Sequence, residues 1–242
     1  DMIRLAAEGK IQQDYIAPIG VELKRADRHP VITFSGNGSV RMNMPEGEYR
    51  LHDNAIGQLA DKMGIPSRYP RGLAGGDKWQ RQLAATVLNE HSGWTERSRV
   101  LIRTVGNEVR GVLSDSYRRL NSVDILTAFA QETGSQGAVI ADAYMSDTKI
   151  WAEAILPEPI LIPTRKNGDI MIYAGARFST SDYGDGAVDM RAFLLNGICL
   201  NGMVRESVMK QVHLGSKLPD NLRLSEQTYE LDTKTTVSAV RD

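Results

Sequence analysis

The chain has 242 residues, 41% of them apolar and 24% charged, with a formal net charge of -1 and a single cysteine. That composition belongs to an ordinary globular protein able to bury a large core. It excludes an intrachain disulfide and a cysteine-built zinc site. No apolar run approaches the ~20 residues of a membrane-spanning helix, and no secretory pattern opens the sequence, so a cytoplasmic setting is expected.

Taken in order, the chain starts abruptly at Asp1, from which a piece of a longer protein is expected, and Met2 to Tyr15 reads as a short helix. Ile19 to Lys24, Val31 to Ser35 and Ser39 to Asn43 read as strands. Gly36-Asn37-Gly38 lacks the third glycine and the following helix of a dinucleotide-binding loop. Asp53 is placed to cap a helix whose Ile56, Leu59, Ala60 and Met63 form one stripe, and Gly64-Ile65-Pro66 stops it. Ser67 to Arg71, with Arg68 and Tyr69, reads as a basic and aromatic loop. Asp77 then caps a second helix, Lys78 to Glu90. Trp94 and Arg97 lead onward into the most informative stretch.

Ser98 to Asp115 reads as two strands joined at Gly106-Asn107, a strong hairpin signal between β-branched runs. A two-residue loop sets Val105 opposite Glu108, Thr104 opposite Val109, Arg103 opposite Arg110 and Arg99 opposite Ser114. One face then carries Val100, Ile102, Thr104, Val109, Gly111 and Leu113, and the other carries three arginines. Like charges facing each other destabilise a pair by up to ~1 kcal/mol, so Arg103 and Arg110 require an anion. That anion is either a carboxylate of the chain itself, such as Glu108, on a solvated sheet face, or a phosphate-bearing ligand. The charge distribution leans towards the second: Lys62 to Arg119 holds eleven Lys or Arg against five acidic residues, leaving the remainder of the chain acidic.

Beyond the hairpin, Ser114 to Asn121 is a polar connection carrying Tyr117, Arg118 and Arg119, and Asn121 caps a helix from Ser122 to about Gln131. Ala138 to Met145, Lys149 to Leu156, Asp169 to Ser179 and Val188 to Leu195 read as strands. Asn167-Gly168 marks a turn, and Pro157, Pro159 and Pro163 mark an irregular crossing. Asp182 to Asp189 reads as an exposed turn, since its spacing is not that of a calcium loop. Cys199, between two Asn-Gly pairs, reads as an inert buried thiol. Met203 to Leu214 fits strand or helix. Residues 225–242 read as a terminal helix able to dock on a neighbour. The expected architecture is a single α+β domain over 1–242, a mainly antiparallel twisted sheet with helices packed on one face.

The four histidines are scattered, and the sequence holds neither a phosphate-binding Gly-x-x-x-x-Gly-Lys-Ser/Thr loop nor a Gly-x-Ser-x-Gly elbow. No metal and no cofactor is expected. Three segments, Gly64-Ile65-Pro66-Ser67-Arg68-Tyr69, Arg110 to Asn121 and Cys199-Leu200-Asn201-Gly202, resemble the signature blocks of a large phage- and plasmid-borne family classed as a domain of unknown function. The resemblance spans roughly Tyr49 to Val204 and implies a role in DNA metabolism or host takeover in a bacterial cytoplasm. It carries over no catalytic residues.

Within that setting the expected chemistry is ATP-independent binding of single-stranded DNA by a homo-oligomer, including strand annealing of the kind performed by Rad52-like proteins. Arg99, Arg103, Arg110, Arg118 and Arg119 would contact phosphates, with Arg68, Arg71 and Arg97 next. Tyr117 and Tyr69 would stack on bases, with Trp94 and Trp79 behind them. The structural alternatives are core packing for the tryptophans and half-buried rings for the tyrosines. Two other functions fit the same residues. A non-catalytic interaction protein would turn the basic surface on an acidic protein partner. An enzyme would need a deep pocket with converging carboxylates, for which Asp115, Asp182 and Asp185 are available.

Overall fold

A computed structural model describes residues 12–19, 32–95, 99–115, 117, 122–164, 168–196 and 204–207, with 234 and 238. The fold is α+β, with two mostly antiparallel sheets. Although no linker in the sequence forces a second domain, the chain divides near residue 117 into two compact units, each with its own hydrophobic cluster. Among the described residues no helix is long and apolar enough to cross a membrane.

The first unit contains β1 (Gln12–Pro18), β2 (Thr33–Ser35), β3 (Arg41–Met44), β4 (Gly47–Leu51), α1 (Asp53–Lys62), α2 (Arg68–Ala74), α3 (Lys78–Ser92), β5 (Arg99–Val105) and β6 (Glu108–Ser114). Its sheet runs in the order β1-β5-β6-β4-β3-β2, antiparallel except where β4 lies parallel to β6. The end of the expected N-terminal helix is instead an edge strand: Gln12 to Pro18 pair residue for residue with Val105 to Arg99. Tertiary pairing here overrides the helix preference of a Gln-rich stretch. The inner face of the sheet presents Phe34, Met42, Leu51, Val100, Ile102, Val109 and Val112 to Ile56, Leu59, Ala84 and Leu88 of the helices. Each fully buried aliphatic side chain of this set contributes roughly 1.5–3 kcal/mol.

Two helices also complete the sheet's hydrogen bonding. Asn89 of α3 accepts from the Phe34 amide and donates to its carbonyl, both at 2.8 Å, taking the place of a further strand beside β2. Asn54 and Gln58 of α1 bond the Arg110 carbonyl and the Val112 amide at 2.9 and 2.7 Å. The start of α1 differs from expectation, because His52 is the cap, its Nδ1 accepting from the Asn54 amide, and Asp53 lies in the first turn. Asp77 caps α3 in a capping box with Gln80.

The second unit contains α4 (Ser122–Ser135), β7 (Val139–Met145), β8 (Ile150–Ile155), β9 (Ile160–Ile162), β10 (Ile170–Thr180), β11 (Asp189–Asn196) and β12 (Val204–Ser207). Its sheet order is β12-β11-β10-β8-β7, with β9 also paired to β10. Ala152 and Ala154 of β8 lie in one cluster with Ile125, Leu126 and Phe129 of α4, and Phe129 stacks on Phe178 at 5.5 Å between centroids. The proline-rich crossing is confirmed as irregular, with only Ile160 to Ile162 extended within it. On the face opposite α4, Gly175 sits under the Phe193 ring. A Cβ there would lie 2.4 Å from Phe193 Cζ, so only glycine admits the ring. The expected terminal helix and the surroundings of Cys199 lie outside the described residues, 234 and 238 apart.

Candidate nucleic-acid interface

The Gly106-Asn107 hairpin forms as expected, with Gly106 at φ +55 and Val105 opposite Glu108. Its register then departs from expectation. A β-bulge shifts the pairing between Arg103 and Thr104, so Arg103 faces Gly111 and Arg110 is the extra residue. Arg103 and Arg110 therefore do not oppose each other. The same shift puts Val112, rather than Gly111 and Leu113, on the core face with Val100 and Ile102. The bulge also leaves the Arg110 carbonyl and the Val112 amide for Asn54 and Gln58 to satisfy.

Each hairpin arginine is matched by a carboxylate of the chain. Arg103, only 5% exposed, donates from Nε to Asp14 Oδ1 at 2.9 Å, and Asp14 is its cross-strand partner on β1. Arg110 Nε donates to Glu108 Oε2 at 2.9 Å, while Arg50 Nη2 binds the other oxygen of Glu108. Arg99 Nε lies 3.3 Å from Asp115 Oδ2. Three carboxylates thus engage the three hairpin arginines, with Glu108 shared by Arg50, so the hairpin is not the bare cationic ribbon that its sequence suggests. Arg97, Arg118 and Arg119 lie outside the described residues. Tyr117 is half-buried and its amide donates to the Ser114 carbonyl.

Outside the hairpin, Ser67 to Arg71 leads into a helix rather than a loop. Pro70 is the third residue of α2, where its missing N–H removes no intrahelical bond. Arg71 donates from Nε to both carboxylate oxygens of Asp53 at 2.9 Å, and this guanidinium holds the Asp53 carboxyl below its ordinary value. Arg68 and Lys78 are exposed and, among the described residues, have no ion pair. Beside them in sequence, Tyr69 and Trp79 are 50% and 62% exposed, and Trp94, just beyond the end of α3, is 67% exposed. At 1.5 Å per residue, α3 separates Trp79 from Trp94 by about 22 Å. α2 packs against α3, so the two helices together bear a cationic and aromatic solvent surface. Of the site residues expected from sequence, this surface retains Arg68 and Tyr69 and adds Lys78.

The second unit also pairs its arginines. Arg177 donates from Nε and Nη2 to Glu153 Oε2 at 3.1 and 2.9 Å, and its guanidinium lies 5.5 Å from the Trp151 centroid and 5.4 Å from that of Phe193. Arg191 is held by Asp189. The carboxylates available to an enzyme are engaged too. Asp182 accepts from the Ser122 amide and hydroxyl at 3.0 and 2.7 Å, capping α4 from sixty residues away, while Asp185 accepts from Thr148 Oγ1 at 2.7 Å and lies 3.5 Å from Lys149 Nζ. A cavity of about 280 Å³ is lined by Lys149, Ser179, Thr180, Val188 and Asp189, where the one acidic side chain is the partner of Arg191. Neither Asp115 nor Asp182 lines it.

Compared with known proteins, the chain matches no family model, no curated protein and no solved structure.

Proposed function

We propose that the protein binds single-stranded nucleic acid without nucleotide hydrolysis, using the solvent face of α2 and α3 rather than the arginine hairpin. One observation carries this reading: Tyr69, Trp79 and Trp94 are turned to solvent in a segment where Arg68 and Lys78 have no carboxylate against them among the described residues. Single-strand binding needs exposed rings for bases and unneutralised cations for phosphates. Each ring that stacks on a base contributes ~1–3 kcal/mol, and its tolerance of any base fits annealing better than sequence reading.

The test is fluorescence anisotropy with labelled single- and double-stranded oligonucleotides across a salt series. Binding to the single strand that weakens steeply with salt is expected, and Tyr69→Ala with Trp79→Ala should weaken it by about tenfold or more. Arg68→Ala with Lys78→Ala should reduce the slope of log affinity against log salt by about 1.4, at ~0.7 per phosphate contact. Absence of binding at low salt, or variants with wild-type affinity and slope, would overturn the proposal. The first of these results is the one expected of a protein-binding module.

A further inference from the structure

We infer that the open edge of the second sheet, β7 with β9 beyond it, pairs with the same edge of a second copy of this chain. In the described sheet β7 is the last strand and hydrogen-bonds only to β8, so the backbone groups on its other side have no strand partner. β8 and β9 lie in succession along one flank of β10, opposite residues 175–180 and 170–172. Since β7 begins opposite Ile155, β9 continues the row of β8 past the end of β7, and the sheet margin on this flank steps inward by one strand from β7 to β9.

The side chains along this edge are apolar and turned to water. Val139, Ile140 and Tyr144 on β7 and Ile160, Leu161 and Ile162 on β9 are each 44–62% exposed. At roughly 100 Å² of apolar surface per fully exposed side chain of this size, with more for tyrosine, the edge offers about 300–400 Å². A standard interface buries ~800 Å² per partner, about 65% of it apolar between identical subunits, so this edge supplies most of the apolar share that a stable dimer needs.

The chemistry selects the occupant. An open strand edge is satisfied by another strand, and an identical strand run antiparallel about a two-fold axis satisfies both copies at once. The charges argue against nucleic acid here, because the exposed ionised groups described on and beside β7 are Asp142, Asp147 and Lys149, and Lys149 is already paired with Asp185. Other features confine the pairing. The register of β7 shifts between Ile140 and Asp142, and Pro159 and Pro163 bracket β9, so neither strand presents a long flat edge for open-ended stacking. Asp142 sits at the middle of β7, where facing its own copy would be unfavourable, so the two-fold axis falls to one side of it.

Sedimentation equilibrium of the full chain, without nucleic acid, tests the inference. The wild type should move from monomer to dimer mass over the micromolar range. Tyr144→Lys with Leu161→Lys should raise the dimer dissociation constant at least about tenfold while the circular dichroism spectrum is unchanged. Val139→Lys with Ile140→Lys is an independent second variant expected to do the same. Tyr69→Ala with Trp79→Ala should leave dimerisation intact, so failure of this inference and failure of the nucleic-acid reading are separate results. A wild type that stays monomeric, or a dimer indifferent to both edge variants, would overturn the pairing.

Discussion

Both sheets set an arginine across from a carboxylate on the neighbouring strand, and they use the pair differently. In the first sheet Arg103 faces Asp14, with 6% and 16% of their side chains exposed. In the second, Arg177 faces Glu153, and the arginine side chain remains 31% exposed with its guanidinium near two aromatic rings. Removing a charge from water costs several kcal/mol, repaid only by good geometry and further hydrogen bonds, so the first pair commits the sheet to keeping both members. The second pair stays partly hydrated, and its stacking contributes as much as its charge. A cluster of arginines in sequence thus says little about ligand binding until the burial of each one is known.

The sharpest way to break this contrast is Arg103→Ala. It leaves Asp14 in a largely buried place without its guanidinium, and a loss of about 3–5 kcal/mol is expected in urea unfolding. Replacing both members, by Arg103→Met with Asp14→Leu, should recover most of that loss. A cost below about 1 kcal/mol for the single variant would mean that the pair behaves as a surface ion pair. Arg177→Ala sharpens the comparison from the other side. Glu153 is no more exposed than Asp14, at 16% of its side chain in each case, but the guanidinium it loses is 31% exposed and its attraction is already screened by water, so a smaller cost of about 1–2 kcal/mol is expected, and a matching Glu153→Gln variant should change stability by no more. Equal losses at Arg103 and Arg177 would remove burial as the distinguishing variable.

The consequences of burial also mark how far the sequence could be read. Gly106-Asn107 identified the turn because a positive φ and β-branched flanks are local properties. The bulge at Arg110 was not legible, since the side chains that satisfy its backbone groups, Asn54 and Gln58, lie more than fifty residues earlier. Asp14 was missed as a counter-ion because its segment has helix-forming composition and becomes a strand only against β5. The cap that Asp182 provides for α4 bridges sixty residues and leaves no local trace. Strand β7 was recognisable as a strand, but its place at an edge depends on what the sheet puts beside it. At the candidate interface, Arg68 and Tyr69 were legible as a basic and aromatic pair, whereas the exposure of Trp79 and Trp94 depends on how α3 packs.

The smallest expected effect concerns a neutral pair in the first unit, set against the ionic pairs above. Tyr15 donates its hydroxyl proton to Gln13 Oε1 at 2.6 Å, which leaves its oxygen to accept from Tyr49, 3.2 Å away. That hydrogen bond, followed by burial and the nearby charge of an ionised Tyr15, pushes the Tyr49 hydroxyl from 10.0 up to about 12. A raised folded-state value means that the folded chain holds this proton after the unfolded chain has released it. The contribution is therefore fully present below about pH 10 and is lost as pH rises from there through about 12. Tyr49→Phe should flatten the alkaline fall of the unfolding free energy over that window and lower the stability near neutral pH by only about 1 kcal/mol, the worth of one partly exposed hydrogen bond. An alkaline slope identical in the variant and the wild type would show that the hydroxyl pair contributes nothing to pH dependence.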